Sequence, residues 1–158
     1  MALLLFSNWM DDMSLPIRES RQNELQTSDT ALEVVVLYTS ADLARAALNK
    51  AEELSGGLDI RLRLIRAEIV PYQLPFDTPA IDLKHLRSEM QTVLESSRLD
   101  VEGEIVLARD LETAIRTVPR SRTIVVLASR HRLWRTKEES IQHLCARMGY
   151  EVLMHYVS

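Results

Sequence analysis

Five strand-like runs, most of them nearly continuous in apolar residues and one alternating, are interleaved with stretches whose apolar positions recur every three to four residues. Glu33–Tyr38 (EVVVLY) has the length and β-branching of a strand buried on both faces. Thr39, Ser40 and Asp42 are cap-type residues. After them Leu43, Ala46, Ala47, Ala51 and Leu54 form a helical stripe that Gly56-Gly57 ends. Asp59–Val70 predicts a second strand, and Tyr72–Pro79, with prolines at 75 and 79, a loop. Ile81–Ser96 predicts a helix whose apolar face is Leu83, Leu86, Met90, Val93 and Leu94. Val101–Ala108 is a third strand. Asp110 caps a short helix over LETAIRTV, which stops before Pro119 because proline disfavours helical geometry in the residue before it. Thr123–Ala128 is the fourth strand. Thr136 and Glu139 then form a T-x-x-E capping box, followed by a stripe of Ile141, Leu144, Cys145 and Met148, with Gly149 as the C-terminal stop. Glu151–Val157 is the fifth strand. The order βαβαβαβαβ, with strands that are mostly near-continuous apolar runs, predicts an α/β fold: a parallel sheet with helices on both faces.

Residues 1–30 do not share this regularity. Their polar stretch SLPIRESRQNELQTSDT lacks a period and reads as a mobile N-terminal arm, leaving residues 31–158 as the folded domain. The arm's apolar tip (Leu3, Leu4, Leu5, Phe6 and Trp9) has no basic flank. Asp11 and Asp12 close it well short of the ~20 apolar residues that a membrane span needs. A net charge of −4 gives no basic excess for nucleic acid. The single Cys145 excludes an intrachain disulfide and fits a reducing cytoplasm. The expectation is a soluble cytoplasmic protein with neither membrane nor nucleic acid as partner.

The candidate chemistry gathers after the fourth strand, where a loop leads to a helix N-terminus, the place where anions bind in α/β sheets. Val125–Arg132 reads VVLASRHR. This resembles the strand and G-S-R-G-R loop of the universal stress protein family, within the wider adenine nucleotide alpha hydrolase-like group. Glu139-Ser140 stands near that family's later Gly-Ser, and Glu151–Val157 at its last strand. The resemblance implies a five-stranded parallel sheet in the order 3-2-1-4-5, an ATP site between the first and fourth strands, and a homodimer through the C-terminal strand. The corresponding site positions are Thr39, Ser40, Ala128, Ser129, Arg130, His131, Arg132 and Ser140. Yet the glycines of G-x2-G-x9-G-S/T are replaced by Ala128, His131 and Glu139, and the first strand ends in Tyr38-Thr39-Ser40 instead of Asp and Gly-Ser. Glycine lets backbone approach phosphate closely. Without it, ATP is not expected in the family's manner, and no other cofactor is indicated.

Positive charge remains in Arg130, Arg132, Arg135 and Lys137, with His131 and Trp134 among them. Arg forks suit phosphate or carboxylate, and Trp134 can stack on a base or on an Arg. The bland alternative is a solvated loop whose charge pairs with Glu138 and Glu139. Other chemistries lack their signatures. The four histidines form no H-x3-H pair, there is no G-x-S-x-G elbow, and the acidic pair and Lys of a phosphoacceptor domain are missing. The sequence therefore predicts a non-enzymatic, universal-stress-protein-like regulatory or interaction module with a protein partner. The alternative is binding of another anionic small molecule or nucleotide through the Arg-rich loop.

Overall fold

The computed structural model describes residues 17–19, 31–76 and 82–158. Its elements in chain order are β1 (Ile17–Glu19), β2 (Leu32–Leu37), α1 (Ala41–Ser55), β3 (Ile60–Ile69), α2 (Leu83–Glu95), β4 (Val101–Ala108), α3 (Leu111–Arg116), β5 (Thr123–Arg130), α4 (Lys137–Arg147) and β6 (Glu151–Val157). All six strands are parallel in one sheet, ordered β1-β4-β3-β2-β5-β6. Counting the five expected strands from β2, this is the order 3-2-1-4-5, with helices on both faces.

The sixth strand lies within the stretch read as an arm. Ile17–Glu19 pairs with Ile105–Leu107 of β4 and extends the sheet on that side. The apolar N-terminal tip and the expected helix start at Ile81 lie outside the described residues. Within them, α2 begins at Leu83 with Asp82 accepting from the Lys84 N–H at 2.9 Å.

Strand alternation splits the core in two. Val34, Val36, Leu62, Leu64, Ile105, Leu107, Val126 and Ala128 pack against the apolar stripes of α1 and α2. Val35, Leu37, Ile65, Val106, Val125 and Leu127 face α3 and α4, where they meet Ile115, Ile141 and Cys145. Burial pushes the Cys145 thiol up to about 11, so this thiol is inert filling. On the same face Tyr150 donates its hydroxyl to the carbonyls of Ile115 (3.0 Å) and Val118 (2.6 Å), pinning the start of β6 to the end of α3.

The amino half of that face carries charge instead of aliphatics. Arg63 on the central β3 reaches Glu33 on β2 at 2.6 Å and Glu104 on β4 at 2.5 Å, and all three are largely buried. Burial works against charge on the guanidinium. The hydrogen bonds and field of the two glutamates outweigh it, and the Arg63 pKa moves up.

The local stops follow their residues. Gly56 ends α1 in the left-handed region at φ 39°, and Gly149 follows α4 at φ 90°, conformations that side chains disfavour. Asp110 caps α3, accepting from the Thr113 N–H at 2.7 Å, and that bond holds its carboxyl below the usual range.

Candidate functional site

The chain crosses from β2 to β3 on one side and reaches β5 on the other. The order of strand addition therefore reverses between the parallel β2 and β5, and their carboxyl ends open a crevice. The amino end of α1 and the β5–α4 loop wall it. The result is an open cleft of about 500 Å³ lined by Ser40, Leu43, Arg130, Arg132, Trp134, Arg135, Thr136, Lys137 and Glu138.

β5 runs to Arg130, two residues beyond the expected end, so Ser129 and Arg130 belong to the strand and alternate across it. Arg130 is exposed, turns to the cleft and meets Asp42 of α1 at 3.7 Å. Ser129 points the other way and is fully buried; its hydroxyl lies 2.9 Å from that of Thr136. Thr136 accepts from the Glu139 N–H at 3.2 Å, and the Glu139 carboxylate accepts from the Thr136 N–H at 3.2 Å. The capping box is complete. The amino end of α4 thus already holds a carboxylate of its own, in the position where a bound phosphate would draw on the same amides and dipole.

The sequence-derived candidates separate. Ser40, Arg130 and Arg132 line the cleft together. Thr39 lines a neighbouring hollow. Ala128 is buried with its methyl in the core facing α1 and α2. His131 leaves the cleft for the outer strand, stacking on Tyr156 at 4.4 Å between centroids and 17° between planes. Ser140 donates to the Thr136 carbonyl at 3.2 Å, one turn back along its own helix. The local pairing of loop cations with Glu138 and Glu139 does not form: among the described residues Arg130 turns to Asp42, and Arg132, Arg135 and Lys137 make no ion pair within 4 Å.

Sequence reading missed the neighbouring hollow, about 300 Å³, lined by Tyr38, Thr39, Arg66, Ala67, Glu68, Ile69 and Lys137. Thr39 and Lys137 were marked by the sequence, but Arg66 and Glu68 lie inside β3, where nothing in the pattern joined them to those two. Arg66 stacks over the Tyr38 ring at 4.5 Å and pairs with Glu89 of α2 at 2.7 Å and with Glu68 at 3.8 Å. Burial pushes the Glu68 carboxyl up, partly offset by Arg66 and Lys137, and burial likewise raises the Tyr38 hydroxyl. Lys137 borders both cavities and joins them into one polar edge.

No protein-family model and no curated protein sequence matches the chain. Among solved structures, a universal stress protein in complex with cAMP is similar over 82% of this chain and 100% of its own, at 16% identity and a TM-score of 0.51. A protein from the universal stress protein family from Burkholderia pseudomallei covers 77% of this chain and 93% of its own, at 17% identity and a TM-score of 0.50. The chain has the universal stress protein fold. Against that fold, the cleft between β2 and β5 lies where the resemblance implied a nucleotide site. The universal-stress-protein-like sheet is complete here, while the glycine-lined loop is not. No helix among the described residues is long and apolar enough to cross a membrane, and none of their His, Cys, Asp or Glu side chains cluster as a metal site.

Proposed function

We propose that this universal-stress-protein-like domain is a non-catalytic regulatory or interaction module that does not hold ATP in the glycine-loop manner. The observation that carries this reading is the self-capped amino end of α4. Glu139 and Thr136 use each other's amides, and Thr136 also engages the buried Ser129 hydroxyl. A triphosphate placed there would have to displace a carboxylate and would meet no glycine backbone. Calorimetry with Mg-ATP is expected to show no tight binding, and assays no hydrolysis. Submicromolar ATP affinity would overturn the reading. Cytoplasmic residence and a homodimer through β6, the long outer strand of the sheet, complete it; light scattering that gives a monomer at high concentration would remove the dimer.

A second reading is favoured by the absence of ion pairs at Arg132, Arg135 and Lys137 among the described residues. These cations, with Trp134, border a cleft that could hold an anionic small molecule by side chains alone. A thermal-shift screen with adenine nucleotides, cAMP, cyclic dinucleotides and simple anions tests it. A salt-sensitive shift lost in Arg130→Ala/Arg132→Ala supports the cleft; a shift unchanged in that variant excludes it.

A further inference from the structure

The β5–α4 loop, whose Arg132, Trp134 and Arg135 border the cleft, also presents an apolar pair to the outside. At its apex Leu133 is 100% exposed and Trp134 83% exposed, two large apolar side chains in succession. Neither belongs to either core cluster. Arg132 and Arg135 bracket them, both exposed and without an ion pair within 4 Å among the described residues.

We propose that this apex, Arg132-Leu133-Trp134-Arg135, docks on the surface of an anionic lipid bilayer. An isolated exposed Leu is ordinary, but a consecutive Leu-Trp pair between two exposed guanidinium groups supplies two complementary signals. Trp favours the headgroup boundary, where its ring lies in apolar surroundings and its N–H stays hydrated, and Leu inserts beside it. The guanidinium groups then stand at headgroup level opposite lipid phosphates. The apex projects, so a protein partner would need a matching hollow, whereas a bilayer boundary deforms around it.

The surrounding charge sets the strength. Residues 130–139 hold four basic and two acidic side chains. Asp42 offsets Arg130, Glu139 is turned into the α4 cap, and Glu138 borders the cleft. The whole chain carries −4, so the rest of the surface opposes a negative membrane and only the apex attracts it. Binding is therefore weak, reversible, oriented and salt-sensitive. The absence of a spanning segment does not bear on it, because a surface-docked loop spans nothing.

Sedimentation of the full chain with vesicles of equal parts phosphatidylserine and phosphatidylcholine, against phosphatidylcholine alone, tests the proposal. Binding to the anionic vesicles alone is expected at low salt and should fade as salt rises. Leu133→Asp, and separately Arg132→Glu/Arg135→Glu, should weaken it by about tenfold or more, since each cation at such a surface contributes about fivefold. These side chains are exposed, and an unchanged circular dichroism spectrum confirms that each variant folds. Equal binding to neutral vesicles, no binding at all, or indifference to Leu133→Asp overturns the proposal. So does polyglutamate binding that matches the vesicles and ignores Leu133→Asp, an outcome that points to an acidic protein instead. A Leu133→Asp variant that loses vesicles but keeps a cleft-ligand shift separates this surface from the cleft, which Leu133 does not line.

Discussion

Arg63 and Arg132 are the same residue type in opposite circumstances. Arg63 lies across three adjacent strands at the amino half of the sheet, buried, with a glutamate on each side. Arg132 stands at the carboxyl edge, exposed, bordering a cleft, with no ion pair among the described residues. The first cation is consumed by the fold. Its charge is costly to bury and is tolerated because both partners are fixed by sheet register. The second adds nothing evident to the fold and keeps its hydrogen-bonding capacity for something outside it. In this molecule, the place to look for function is where charge is left unanswered, and abundance of charge is a poor guide.

That contrast can be broken by mutation. Arg63→Ala should cost the most, about 3–5 kcal/mol in urea unfolding, because it removes the guanidinium that Glu33 and Glu104 share in the interior. Replacing the trio together, as Glu33→Leu/Arg63→Met/Glu104→Leu, should recover most of that loss. If it does not, the network contributes more than mutual compensation. Thr136→Ala should cost about 1 kcal/mol as a lost cap, with a further penalty because the buried Ser129 hydroxyl loses its shorter hydrogen bond and keeps only the 3.5 Å contact to the Arg130 carbonyl. Arg132→Ala/Arg135→Ala should change stability by less than about 0.5 kcal/mol. A loss as large as that of the cap would mean that the carboxyl-edge cations serve the fold after all, and the comparison would fail.

The framework was legible because apolar runs and stripes are driven by burial. Each of the five strands from β2 onward coincides with such a run, and Ser40, Asp110, Thr136 and Glu139 cap as their residue types and spacing imply. Ile17–Glu19 escaped because a three-residue polar strand has no periodic signal; its pairing depends on the edge that β4 offers. The site was legible in part. Charge density marked Arg130 and Arg132, but position in a motif does not give direction. The pleat sends Ala128 to one face and Ser129 to the other, Tyr156 draws His131 outward, and helix geometry turns Ser140 back on Thr136. The Arg66–Glu68–Tyr38 hollow went unseen because its members come from β3 and from the residue that follows β2, which only sheet pairing brings together.

The short strand β1 bears on assembly. By covering part of β4 it blunts one rim of the sheet with a three-residue border, while β6 presents seven residues at the other. Growth by adding strands needs two usable rims per molecule; one long rim lets two bodies meet and then leaves neither with a second. Under the proposed β6 dimer, the described strands would leave each copy only its short β1 border, so pairing would end at two molecules.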